Sequence, residues 1–292
     1  MLQRSVEALL GANPALVLAV AALYAAWVYL GGRRWQTLLL GLEEAVRLRE
    51  TILANLAFTF LNNVTPGRLG GEIGRVVVLQ LRTRVDLRRA AASAAYDRLL
   101  DWVPAPLFLL LALPALPDVA RRGHLGPLAL VLAAGVAALA LLRAASGEHG
   151  WRQRLRAQLA RVHLPRGPLL RALGISLLVW AADILRLAAA AAAFGVWLKP
   201  SQAVGLCFAA AAGAAVPMMG GLGVVEASLT ATLCLYGVPV ETALAIALLD
   251  RSISYVLATA ASGLVVLALG GRRLWRAVRS PPRPAHDGTA PA

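Results

Sequence analysis

Lysine is almost missing from this sequence. Lys199 is the single one among 292 residues, and arginine carries the rest of the positive charge. Acidic side chains are scarce as well, 15 against 29 basic ones, and the formal net charge is +14. Only 15% of the residues are charged, against about 25% in an average soluble domain. In a soluble protein the basic excess would indicate nucleic acid. Here 59% of the residues are hydrophobic and the mean hydropathy is +0.68, so no nucleic-acid partner is expected. The arginines instead orient a membrane chain by the positive-inside rule. The two cysteines, Cys207 and Cys234, lie in apolar surroundings without a CxxC, which excludes a disulfide framework. His124, His149, His163 and His286 are scattered. They give no metal site, and no cofactor is implied. Period-2 alternation is absent, which argues against a β-barrel.

What the sequence does have is long apolar runs, several near the roughly 18–20 residues that cross a bilayer. The expected fold is an all-α polytopic membrane protein with about five full spans: 14–31, 98–116, 126–142, 172–194 and 242–270. Arg33 and Arg34 follow the first run, so it reads as a retained span rather than a cleaved signal. Between the spans lie two stretches whose apolar arms are too short to cross. The first, 51–81, is interrupted by NNVTPGRLGGEIGR at 62–75. The second, 201–236, is interrupted by PMMGGLGVVE at 217–226. Proline and glycine break regular helix at both places. Both stretches are expected to be re-entrant hairpins, the first entered from the cytoplasm and the second from outside.

Short matches recur in order. Leu56-Ala57-Phe58 returns as Leu206-Cys207-Phe208, Gly70-Gly71 as Gly220-Gly221, and Asp97-Arg98 as Asp250-Arg251. With the alternation of spans this reads as an inverted-topology repeat, which places a binding site where broken elements of the two halves meet. The expected organisation is a first repeat over 1–116, a linking span and arginine-rich cytoplasmic loop over 117–171, a second repeat over 172–270, and a basic, disordered cytoplasmic tail over 271–292. With the N-terminus outside and the C-terminus in the cytoplasm of a multi-pass cell (inner) membrane protein, 20 of the 29 positive residues face the cytoplasm. That asymmetry supports the orientation. The loop is expected to attract anionic inner-leaflet lipids. A homo-oligomer is compatible with the sequence.

Charge inside a membrane is costly and demands a reason. Asp183 and Arg186, three residues apart, read as a structural pair. Asp97, Asp101 and Asp250 read as structural partners too, with a functional reading of Asp97 and Asp250 equally open. Arg68 and Arg75 lie beside glycines where a helix restarts, a combination suited to a lipid phosphate. Substrate contact is therefore expected at Asn63, Pro66, Gly67, Arg68, Gly70, Gly71, Glu72, Arg75 and Arg98 in the first half. In the second half it is expected at Gly220, Gly221, Gly223, Glu226 and Arg251. The glycines have a second reading, close helix packing. Glu226 is read as a counter-charge, a proton carrier, or a partner of Arg98 or Arg251.

The segments NNVTPGRLGGEIGRVVVL, AAYDRLLDW, VPMMGGLGVVEASL and ALLDRSISY resemble the lysylphosphatidylglycerol synthase transmembrane-domain family, flippase-like proteins that also occur as stand-alone members. The resemblance covers nearly the whole chain. It implies a flippase-type role for an anionic phospholipid or a polyprenyl-phosphate-linked lipid. It places the family's two hairpin motifs on Pro66, Gly67, Arg68, Gly70, Gly71 and Arg75, and on Gly220, Gly221, Gly223 and Glu226. An extra N-terminal span found in many members and the aminoacyltransferase domain have no counterpart in the sequence, so lysine transfer is not expected. Two other functions compete. A membrane enzyme acting on a lipid phosphate would need more than the Asp97–Asp101 pair to hold Mg²⁺. An accessory subunit would dock through the arginine-rich loop.

Overall fold

The computed structural model describes residues 11–65, 69–112, 164–216 and 218–268. Apart from short connections these are helical, with no strand among them. The protein is an all-α membrane protein. The span expected at 126–142, most of the arginine-rich loop and the tail at 271–292 lie outside the described residues, as do Pro66, Gly67 and Arg68.

Helix α1 runs from Pro14 to Gly41, ten residues beyond the apolar run that announces it. Asn13 caps it by accepting a hydrogen bond from the Ala15 N–H at 3.0 Å, and Pro14 fits the first turn. Helices α2 (Leu48–Val64) and α3 (Leu69–Arg82) pack side by side. Helix α4 (Leu87–Trp102) follows, capped by Asp86, and α5 (Ala105–Ala112) comes after a break at Val103-Pro104. The second half opens with α6 (Arg166–Ala192). Then come α7 (Pro200–Ala215), a tight turn, and α8 (Val224–Leu235). Helix α9 (Val240–Arg251) passes through a π-helical segment, Ser252–Leu257, into α10 (Ala258–Ala268).

Among the described residues three helices are long and apolar enough to cross a membrane: α1, α6 and the continuous Val240–Ala268. Helices α2, α3, α7 and α8 have 17, 14, 16 and 12 residues. At 1.5 Å per residue each covers less than the roughly 30 Å hydrocarbon core.

Helices α1 and α6 form the most extensive interface and act as the spine. The N-terminal half of α1 shares a core with the second half of the chain, where Val20 meets Leu187, Leu206, Leu229 and Ile246. Its C-terminal half shares another with the first hairpin, where Trp35 and Leu39 meet Ala54, Ala57, Val78 and Leu79. Small residues set the spacing, as lipid-solvated helices require. A Cβ on Gly71 would come within 2.9 Å of the Phe58 carbonyl, and one on Gly32 would meet Ile52. Arg33 and Arg34, expected in a cytoplasmic segment, both continue helix α1. Arg34 is 5% exposed.

The open ends of α2 and α3 are joined by Glu50 and Arg82, which form an ion pair. The hydrogen bond from Arg82 holds the Glu50 carboxyl below its ordinary value. A lowered folded-state value means stabilisation that is present above the unfolded pKa and lost as pH falls through the folded one. We therefore expect Glu50→Gln to lower the melting temperature in detergent at pH 7, by the equivalent of about 0.5–1 kcal/mol for a partly exposed pair. The difference from wild type should shrink as the pH is lowered below the ordinary carboxylate range.

Candidate functional site

The polar residues of the first half converge on one closed ring of alternating charge. Arg34 on α1 places Nε 2.6 Å from Asp97 Oδ1. The other oxygen of Asp97 lies 2.6 Å from Arg75 Nη1. Arg75 Nη2 reaches Glu72 Oε2 at 2.8 Å. Glu72 Oε1 is paired with Arg98. Arg98 Nη1 reaches Asp101 Oδ2 at 2.7 Å, and Asp101 Oδ1 returns to Arg34 Nη2 at 2.7 Å. Three guanidinium groups and three carboxylates thus close a circuit across α1, α3 and α4.

Helical spacing builds it. Glu72 and Arg75 share a face of α3 at i, i+3, and Asp97 and Asp101 share a face of α4 at i, i+4. Aromatic faces line it: the Arg75 guanidinium sits 4.9 Å from the centre of the Trp35 ring, and that of Arg98 sits 4.8 Å from Phe58. Trp35 is fixed in turn by donating to Ser93 Oγ at 2.9 Å. Two hydrogen bonds tie the ring to uncharged side chains of α6. Arg34 donates to Ser176 Oγ at 3.1 Å, and Trp180 donates to the Asp101 carbonyl at 3.0 Å.

The members differ in access. The side chains of Arg75, Asp97 and Arg34 are 1%, 4% and 6% exposed, whereas that of Arg98 is 42% exposed. Arg98 and Glu72 stand at one end of a cleft of about 630 Å³ between α3 and α4. The cleft is otherwise lined by apolar side chains and Gln80.

A second cluster lies in the other half. Arg186 pairs with Asp250 and, at 2.7 Å, with Asp183. Arg251 Nε is 3.1 Å from Glu226 Oε1, and its Nη2 donates to the Gly220 carbonyl at 2.8 Å. Of the two partners offered for Glu226, the structure therefore selects Arg251. Gly220, Gly221 and Gly223 have φ of 57°, 68° and 79°, backbone that disfavours any side chain. A Cβ on Gly220 would also overlap the Tyr255 ring, which lies 4.6 Å from the Arg251 guanidinium. The π-helical segment carries Tyr255, and its hydroxyl donates to the Asn63 carbonyl at 3.3 Å. Asn63 Nδ2 donates to Thr259 Oγ1 at 2.7 Å, so the end of α2 meets the second half here.

The two clusters share a plan. Arg34–Asp97 corresponds to Arg186–Asp250, at separations of 152 and 153 positions. Arg98–Glu72 corresponds to Arg251–Glu226, at 153 and 154. Sequence reasoning missed Arg34, Trp35, Ser176 and Tyr255. Arg34 had one available signal, a spacing to Arg186 of 152, between the 150 and 153 of the repeat matches. Gly70 and Gly71 are helical, in contact with Thr65 and Phe58. They serve close packing of α2 on α3.

Residues 3–262 match the family described as lysylphosphatidylglycerol synthase TM region. The chain belongs to this family. A curated relative, a UPF0104 membrane protein of Pyrococcus horikoshii, is 24% identical over 310 aligned residues, covering 91% of this chain and 90% of the relative. No solved structure matches the chain. Both charge clusters lie within the residues that match the lysylphosphatidylglycerol synthase TM region.

The ring makes unequal demands on its members. Asp97→Asn leaves two buried guanidinium groups short of charge, and should cost about 3–5 kcal/mol of stability. Arg98→Gln removes a half-exposed member whose carboxylates each keep another arginine, and should cost about 1 kcal/mol or less. Thermal unfolding of the two variants in detergent, followed by tryptophan fluorescence, checks the order.

Proposed function

We propose that the protein is a flippase-like translocator for a lipid bearing a phosphate, either an anionic phospholipid or a polyprenyl-phosphate-linked lipid. The observation that carries this reading is the pair of equivalent charge clusters, each set where a long helix meets a broken hairpin. Buried charge in an apolar helical protein marks a substrate or ion path by default. The 152–154 spacing of the two clusters supports an inverted repeat, the architecture in which one half rocks against the other around a shared site. The short arms of α2–α3 and α7–α8 support re-entrant hairpins. Family membership supports a lipid as the cargo. On the same reading the N-terminus lies outside, the C-terminus lies in the cytoplasm, and the arginine-rich loop meets anionic lipid.

The geometry divides the roles of the arginines. Arg75 is enclosed, and its two terminal nitrogens are shared among Asp97, Glu72 and the Ala94 carbonyl, which suits a fixed counter-ion. Arg98, whose side chain is 42% exposed, opens out of its cluster, which suits contact with a headgroup, and Arg251 is its more enclosed counterpart in the second half. Asp97 and Asp101, the carboxylates an enzyme would need for a divalent cation, both spend oxygens on Arg34. Transport is therefore favoured over lipid chemistry.

The test is lipid exchange between leaflets of reconstituted vesicles, read by dithionite quenching of a fluorescent phospholipid. Wild type should accelerate exchange at least tenfold over empty vesicles. Arg98→Gln and Arg251→Gln should return it to near background with the fold intact. Exchange unchanged in both variants would overturn the assignment.

A further inference from the structure

We infer that the cleft between α3 and α4 holds one hydrocarbon chain of a lipid, and that Arg98 swings out of the charge ring to take the lipid's phosphodiester. The inference rests on the translocator reading for its purpose, but it concerns binding and is tested as binding.

Arg98 is the one arginine of the ring that is not paired with Asp97, so it can leave without weakening the pairing of the most enclosed carboxylate. Its two partners, Glu72 and Asp101, each hold a second guanidinium, on Arg75 at 2.8 Å and on Arg34 at 2.7 Å. Removing Arg34 or Arg75 instead would break the circuit at Asp97, which is almost wholly enclosed. Exposure agrees, since the Arg98 side chain alone among the three arginines is substantially open. Its guanidinium rests against the Phe58 ring rather than against a further polar group.

The cleft below it has the shape and chemistry of a chain site. Its volume of about 630 Å³ falls within the roughly 300–1,000 Å³ usual for small-ligand pockets. From Glu72 to Leu81 its α3 wall rises nine residues, about 14 Å at 1.5 Å per residue. The walls are Val76, Val77 and Ala91, and the rim is Ile73, Leu81 and Leu87, which are 55%, 57% and 42% exposed. An apolar rim admits a chain sideways from the acyl region, where a free inorganic ion has no route. The headgroup class follows from charge. Glu72 and Asp101 flank Arg98 on both sides. A dianionic phosphate monoester would face both carboxylates at close range, whereas a monoanionic phosphodiester satisfies the guanidinium with half the repulsion.

The experiment is photolabelling of the purified full-length protein with hexadecyl methyl phosphate carrying a diazirine at the chain terminus, followed by peptide mapping. Hexadecyl phosphate and hexadecanol with the same label serve as comparisons. The diester should label the α3–α4 peptides, at least tenfold more than the alcohol and several-fold more than the monoester. Arg98→Gln should reduce labelling by tenfold. Val77→Trp, which fills the cleft away from the ring, should abolish it without altering the melting temperature by more than a few degrees. Excess inorganic phosphate should not compete. Equal labelling by the alcohol or the monoester, retention of label in Arg98→Gln, competition by inorganic phosphate, or label spread over all apolar helices would overturn the inference. Labelling as expected with no leaflet exchange would leave the site standing and remove the transport reading. Exchange without labelling of the cleft would do the reverse.

Discussion

Asp97 gives each of its two oxygens to an arginine on a different helix, Arg34 on α1 and Arg75 on α3, while it stands itself on α4. The isolated carboxylate would be prohibitive in hydrocarbon, and so would either isolated guanidinium. Together they are tolerable only in one relative placement of three helices. A charge that must be paired therefore acts as a positional constraint on the hairpin. The close approach it requires is supplied by residues without bulk. Ala90 and Ala94 on α4 and Gly71 and Gly74 on α3 leave room for the helices to meet, and the aromatic faces of Trp35 and Phe58 cover the cations on the remaining sides.

The second half repeats the plan with less closure. Its Arg186–Asp250 and Arg251–Glu226 pairs mirror two links of the ring, but Arg251 turns toward the backbone of the hairpin, bonding the Gly220 carbonyl. The hairpin breaks differ to match. In the second, three glycines with positive φ make a turn that no other residue would adopt without strain. After the first break, Gly70 and Gly71 are already helical. The second half also carries the π-helical segment directly after Asp250-Arg251, a kind of irregularity frequent at functional sites. It brings Tyr255 under Arg251 and against Gly220.

Much of this was legible in the sequence, because the membrane makes charge conspicuous. Glu72, Arg75, Asp97, Arg98, Glu226 and Arg251 could be picked out as residues needing a partner, and the Asp183–Arg186 spacing gave its own pair. Arg34 escaped because it sits beside Arg33 at the end of an apolar run, where arginine ordinarily marks the cytoplasmic face. Only the continuation of α1 to Gly41 turns it inward. The ring itself could not be read. Closure depends on how α1, α3 and α4 approach in space, and no local pattern encodes that. Nor does periodicity announce a π turn: Ser252–Leu257 continues an unbroken apolar helix pattern. The choice of Arg251 rather than Arg98 for Glu226 likewise needed the tertiary arrangement.

The distribution of strong and weak contacts bears on motion. Every ion pair of the two clusters joins residues of the same half of the chain. Among the described residues, the hydrogen bonds that cross between halves join no pair of opposite charges, and they include Asn13 N–H to the Ala193 carbonyl, Arg34 to the Ser176 hydroxyl, Trp180 to the Asp101 carbonyl, Asn63 to Thr259, and Tyr255 to the Asn63 carbonyl. Breaking a buried ion pair strands charge, whereas a hydrogen bond to a neutral partner can be exchanged for another or for water at smaller cost, and Arg34 keeps its two carboxylates when it loses Ser176. The remaining cross-contacts are apolar, chiefly α1 against α6 and the second hairpin. Apolar faces resist separation but define few discrete positions. Each half is thus locked internally and held to the other by interactions that permit displacement. That division suits the proposed rocking of one half against the other, with Asn63, Gly220 and Tyr255 meeting at the seam.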